Sequence, residues 1–424
     1  MPDSRPQPPR FPPSPSVPAD SATLLLCGAR LTDGRTVDVR LGGGRIEAVG
    51  TPGSLATGAV GARVDLRGYL LLPAPAEPHA HCDTALSAED TGDSRGSGGA
   101  GPESPRPEEV QRRATEAALL ELGHGATALR SHVRIGDVPG LDALAAVLRA
   151  RRSLCGLAEL TAVAMPGVLT GVAGADGLAM LRDAAKMGAT VVGGCPDADP
   201  DPTGYVEAVL QIASEFGCPV DLHTDARDPV RLSRLAAMAG GLRPEVTLGP
   251  CGGLGRLPAG TAARIADRLA AAQVTVVCLP QGGCGGVGRR GTAPVRLLRS
   301  AGVRVAAGSG ALRDPTNPVG RGDPLEAAYL LASRYGLSAE AAYDMVSGSA
   351  RAALGLPEVR VEAGFPAELL AVRADGLAGA LSLAYSRVVI HRGRLVARTS
   401  AVREYCDSAS VALELPRQGR AEPS

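Results

Sequence analysis

The chain contains no Trp, only three Phe and seven Tyr, and a single lysine, Lys186, among its 44 basic residues. With aromatics at 2% and apolar residues at 45%, a core must be built from Ala, Val, Leu and Ile. A binding pocket would likewise have few rings to stack on a flat ligand. Acidic residues also number 44, so net charge is zero and no basic surface marks a nucleic-acid or anionic-membrane partner. The nine cysteines form no C-x-x-C pair, and their odd number suits a disulfide scaffold poorly. They read as reduced, mostly packed thiols. The longest early apolar run, Leu24-Leu25-Leu26-Cys27, is strand-sized and far short of the ~20 residues of a membrane span. The Pro-rich residues 1–20 have no apolar leader core. A cytoplasmic protein with a disordered N-terminal arm over 1–20 is expected.

What is present divides into two textures. From Ala22 to about Leu72, short alternating stretches (Ala22–Leu31, Val37–Leu41, Arg45–Val49, Val64–Leu66) are split by Gly-rich turns. The texture returns in Ala367–Val372 and Arg387–Val396, where His391-Arg392-Gly393-Arg394 reads as a hairpin turn. Small antiparallel strands from both chain ends, 21–72 and 358–404, predict one composite β-sandwich, followed by a tail over 405–424.

The middle, 73–357, alternates apolar strand-like runs with helical Ala/Leu/Arg/Glu stretches. Taking Leu70–Ala76 as the first strand, the others are Ala126–Val133, Ala158–Ala164, Thr190–Gly194, Pro219–His223, Glu245–Gly249, Val274–Leu279 and Val303–Gly308. Eight such repeats fit an α/β fold of the (β/α)8 TIM-barrel type, whereas six or seven would fit an open doubly wound sheet equally well. The Gly/Ser/Pro-rich stretch 89–109 interrupts the alternation and predicts a flexible loop at the C-terminal rim, where active sites of this fold lie.

His79 and His81 end the first barrel strand. At i and i+2 in an extended chain, both imidazoles point to one side, here the barrel mouth. His223 ends the fifth strand in Asp221-Leu222-His223-Thr224-Asp225, and His132 ends the second in Arg130-Ser131-His132-Val133. Neutral imidazoles so placed suit one Zn²⁺ or Fe²⁺. His124 and His391 read as structural or solvated.

Four stretches carry a resemblance to the cytosine deaminase branch of the amidohydrolase superfamily. They are Glu77-Pro78-His79-Ala80-His81-Cys82-Asp83, Leu129-Arg130-Ser131-His132-Val133, Gly188-Ala189-Thr190-Val191-Val192-Gly193-Gly194-Cys195-Pro196 and Asp221–Asp225. Val277-Cys278-Leu279-Pro280, Ala293-Pro294-Val295 and Arg313-Asp314-Pro315 extend it across about 22–400. The resemblance implies a metal held by His79, His81 and His223, and attack of an activated water on an amidine-like ring carbon.

Several positions depart from that pattern. Ala226 stands where the branch has its proton-shuttling Glu, and Pro250 or Cys251 where it has the strand-six His. The strand-eight segment Gly308-Ser309-Gly310-Ala311-Leu312 offers no carboxylate ligand. The pyrimidine-reading Gln is absent near Met165-Pro166-Gly167, and Thr316 replaces a Trp. Cytosine deamination by the branch's mechanism is therefore not expected. Asp225 and Asp314 are the nearby acids that could stand in as catalytic groups, with His132 and Cys251 as further pocket residues. Lys186 precedes the fourth strand rather than ending one, so a lysine-bridged two-metal site has no lysine to build it. The expected function is hydrolysis of a non-peptide C–N bond in a small molecule, a cyclic amidine or amide, by one metal-activated water. An inactive paralogue serving as a binding or regulatory partner is the alternative. A homo-oligomer is compatible with either.

Overall fold

The computed structural model describes residues 23–56, 61–88, 105–136, 138–241, 245–282, 291–383 and 385–401. The N-terminal arm, the C-terminal tail and most of the 89–109 loop lie outside them. Two eight-stranded sheets organise the chain.

The first draws on both chain ends: β1 (Leu24–Arg30), β2 (Thr36–Gly42), β3 (Arg45–Gly50), β4 (Ala62–Asp65) and β5 (Tyr69–Pro73), then β14 (Leu369–Arg373), β15 (Arg387–His391) and β16 (Arg394–Thr399). Its order is β16-β15-β14-β5-β1-β2-β3, with β4 beside β1. The sheet is mixed, because β4 and β5 run parallel to β1 where antiparallel strands were expected. Alternation decides the two faces. Leu71, Leu369, Ala371, Val388 and Ile390 join Leu24, Leu26, Val39 and Ile46 in one core. Leu70, Leu72, Leu370 and Val372 face the other way and pack on the barrel. The backbone bond from Ile46 N to Phe365 O folds the sheet's two halves over the first core.

The second sheet is the barrel: β6 (Glu77–Ala80), β7 (Ala128–Arg134), β8 (Glu159–Met165), β9 (Val191–Gly194), β10 (Val220–Thr224), β11 (Val246–Pro250), β12 (Thr275–Cys278) and β13 (Val305–Ala307). Neighbours in sequence are neighbours in space, and every pair is parallel. A parallel bridge between Ala80 and Gly310 closes the ring, with Gly310 N donating to His79 O at 3.0 Å. The first barrel strand is thus Glu77–Ala80 and not Leu70–Ala76. The apolar run before it pairs with β14 in the other sheet. A strand buried on both faces has no alternation to say which sheet it joins.

Helices fill the crossovers because the chain signals their ends. Asp201 caps Pro202–Phe216 by accepting from Thr203 N and Gly204 N, with Pro at the first turn and Gly217 closing the last at φ 62°. Pro324–Tyr335 repeats the device with Asp323, Pro324 and Gly336. Three helices after the barrel (Pro324–Tyr335, Ala339–Val346, Gly348–Ala353) and a fourth, Leu377–Leu383, were not resolved by the strand–helix count.

Candidate metal centre

Three strands send polar side chains inward at every second residue, against the apolar grain of a barrel interior. On β6 and just beyond it these are Glu77, His79 and His81. On β7 they are Arg130, His132 and Arg134, and on β10 Asp221 and His223. Four imidazoles meet as a result. His79 has ring-centroid separations of 4.0 Å to His132, 4.6 Å to His223 and 5.4 Å to His81. One ring nitrogen from each of His79, His81 and His223 lies within 4.8 Å of the others. Both nitrogens of His79, Nε2 of His81 and Nδ1 of His223 are buried without a hydrogen-bond partner.

Burial is the main reason these rings are neutral. It drives His79 and His223 well below the ordinary imidazole value and takes His81 down to about 3, with the neighbouring His132 adding to each shift. A neutral imidazole with an unpartnered nitrogen is the protonation state a divalent metal needs.

The cluster is braced from within the barrel. Arg130 Nη1 donates to Asp221 Oδ2 at 2.9 Å, and Asp221 Oδ1 stands 3.1 Å from His132 Nε2. His79, His132 and Asp221 form a second group of potential ligand atoms within the same 4.8 Å limit, deeper in the barrel. Arg130 already neutralises that carboxylate, so His132 and Asp221 read as supports of the first group. Glu77 accepts from His79 N at 2.9 Å and from both Ser309 N, at 2.8 Å, and the Ser309 hydroxyl. These bonds fix the turn that replaces the carboxylate-bearing segment, and Ala311 is fully buried there.

Above the cluster lies a cleft of about 440 Å³ with His81 and His223 on its floor. Its walls are mostly apolar or bare backbone: Met165, Pro166, Val168 and Pro250, with Gly136, Gly167, Gly252 and Gly291. No Phe or Tyr ring lines it among the described residues. Its charged groups are Arg134, Asp197 and Asp225.

The singled-out residues fall at different distances from this cleft. Asp225 lines it and pairs with Arg227. Asp314 does not line it; its carboxylate accepts from Thr316 N, Asn317 N and Thr84 Oγ1, holding a loop. Cys251 is fully buried, and burial pushes its thiol up, so Pro250 and Gly252 meet the cleft in its place. His132 lies beneath, also fully buried. Ala226 is buried, its N–H donating to Thr224 Oγ1 at 3.0 Å. Lys186 is exposed and pairs with Asp183. Asp197 and Arg134 were missed by sequence reasoning. Asp197 follows the β9 strand end, and its Oδ2 accepts from Thr224 Oγ1 and Asp225 N, both at 2.9 Å. The alternation Arg130, His132, Arg134 was the available signal for the second.

Residues 105–397, more than half of the chain, match the model of the family described as "Amidohydrolase family". The chain belongs to the amidohydrolase family. This amidohydrolase is 26% identical over 372 residues to a pterin deaminase of Rhizobium rhizogenes, covering 80% of this chain and 83% of that protein. It superposes on an N-isopropylammelide isopropylaminohydrolase from Burkholderia multivorans with TM-score 0.78 and 27% identity, over 90% of this chain and 100% of that one. A 5-methylcytosine deaminase from Klebsiella pneumoniae shares the fold, with TM-score 0.77 at 24% identity over 91% of this chain and 100% of that one. The barrel fold is shared with the two solved structures. No helix among the described residues is long and apolar enough to cross a membrane.

Proposed function

We propose that this amidohydrolase cleaves a C–N bond of a small, flat nitrogen heterocycle by water attack at a single divalent metal, Zn²⁺ or Fe²⁺. The observation that carries the reading is the convergence of His79, His81 and His223, neutral and with unpartnered ring nitrogens, beneath a cleft. Three imidazoles suit a catalytic metal that keeps an open position. When bound, the cation supplies Lewis acidity and makes a water acidic enough to react near neutral pH. The glycine-lined cleft suits a planar ring, and the names of two relatives more than 25% identical specify pterin and N-isopropylammelide, both flat nitrogen heterocycles.

The chain's own groups divide the remaining work. Asp221, fixed by Arg130, steadies His132 against His79 and so orients the ligand cluster. Asp197 and Asp225 stand on the cleft wall in place of the acids absent at Ala226 and Gly310–Ala311. Asp197 uses one oxygen on Thr224 and Asp225 and leaves the other for a proton. Asp225 is preferred to Asp314, whose carboxylate is consumed by its own loop.

Metal analysis of the purified protein beside His79→Ala tests this. About one Zn or Fe per chain in the native protein and none in the variant is expected; absence of stoichiometric metal from both overturns it. A second reading, a ligand-binding paralogue without turnover, is favoured by Ala226, Pro250 and Ala311 at three catalytic positions. Metal-loaded protein that binds heterocycles yet releases neither ammonia nor an amine would establish that reading instead.

A further inference from the structure

One cation of the cleft has no side-chain hydrogen bond or ion pair among the described residues. Arg134 is the last residue of β7, in step with Arg130 and His132, and its side chain is exposed on the cleft wall. Its backbone N–H lies 3.4 Å from the buried Asp83 Oδ2 at the strand end. Its guanidinium makes no hydrogen bond or ion pair among the described residues. The other charges nearby are engaged: Asp225 by Arg227, and one oxygen of Asp197 by Thr224 and Asp225 N. Arg134 lines the same cleft as His81 and His223, so it overlooks the place where a ring would react.

An arginine fork left unpaired in a largely apolar cleft matches a planar anion with two oxygens. A phosphate would bring more charge than one arginine offsets, and Asp197 on the same wall would repel the excess. We infer that the substrate is a heterocycle bearing a carboxylate, gripped by Arg134 while the ring lies over His79, His81 and His223. This rests on the hydrolase reading for the ring's fate, though not for the anion position itself.

Isothermal titration of the metal-loaded full-length protein separates the two. Benzoate and benzamide have nearly the same shape and differ in charge; pterin-6-carboxylate and pterin form a second such pair. Each carboxylate is expected to bind at least about tenfold tighter than its uncharged partner. Arg134→Met should erase that ratio and leave the uncharged ligand's Kd within about twofold, and Arg134→Lys should retain part of the preference. Equal binding of the paired ligands, or no benzoate binding, overturns the inference. A preference that survives Arg134→Met belongs to the metal and also overturns it. An Arg134-dependent preference without release of ammonia or amine from any ring sustains the anion site and removes the hydrolase reading.

Discussion

Glu77 opens strand β6 and His81 follows its last residue, both buried, and burial acts on them in opposite directions. Burial, helped by His132, lowers His81 from 6.5 to about 3. The unfolded chain therefore takes up this proton first, and the stability tied to a neutral His81 is full above 6.5 and lost as pH falls toward 3. Burial raises Glu77 from 4.5 to about 7, outweighing the bonds from Ser309 and His79. Its contribution is present below 4.5 and lost as pH rises to about 7. Urea unfolding of metal-free protein between about pH 5 and 8 checks both signs. Glu77→Gln should remove a loss of stability on the neutral side, and His81→Gln a loss on the acid side. If neither variant changes its slope, burial does not govern these two protons. At this scale the three histidines were legible, because i, i+2 spacing at strand ends fixes direction. Arg134 was not, because a lone arginine at a strand end looks like any solvated one until its neighbours are known.

Strand β9 shows what an element contributes. Gly193 pairs with Asp221 of β10, and a Cβ at Gly193 would lie 1.8 Å from the Asp221 carbonyl oxygen and 2.9 Å from Val163 Cγ1. Any larger residue must push β10 outward, and β10 carries both Asp221 and His223. Gly193→Ala is expected to cost about 2–3 kcal/mol and to weaken metal binding. Gly376→Ala, where an added methyl meets nothing within 4 Å, should be near neutral. Denaturant midpoints and metal titration report the two effects; a stable Gly193→Ala with native metal affinity would contradict the close approach. The strand-five and strand-six runs were readable from apolar content and turn residues. Leu70–Ala76 was assigned to the wrong sheet, since its two-sided burial leaves no period to read.

For the molecule as a whole, charge pairs tie the terminal sheet to the helices and strands of the barrel. Arg387 of β15 holds Asp323, the cap of the Pro324–Tyr335 helix, at 2.7 and 2.9 Å, and also donates to the His124 carbonyl. His391 Nδ1 lies 2.9 Å from Glu368 Oε2, and Arg392 reaches Glu159 of the barrel. Removing one partner of a buried pair leaves the other uncompensated. Asp323→Ala and Arg387→Ala should each cost about 3 kcal/mol, and the double variant clearly less than their sum. Additive losses in denaturant unfolding would show that the pair does not couple β15 to the Pro324–Tyr335 helix.

Local pattern along the chain encodes the alternation of eight strands with helices, the pairing of both chain ends in a second sheet, and His79, His81 and His223 at strand ends. Each follows from a period or a local cap, which short stretches of chain encode. Folding alone settles which apolar run opens the barrel, that Asp314 serves its own loop, that Cys251 is buried, and that Asp197 and Arg134 share a cleft with Asp225. Those are relations between segments far apart in sequence, and closing the ring is what sets their distances.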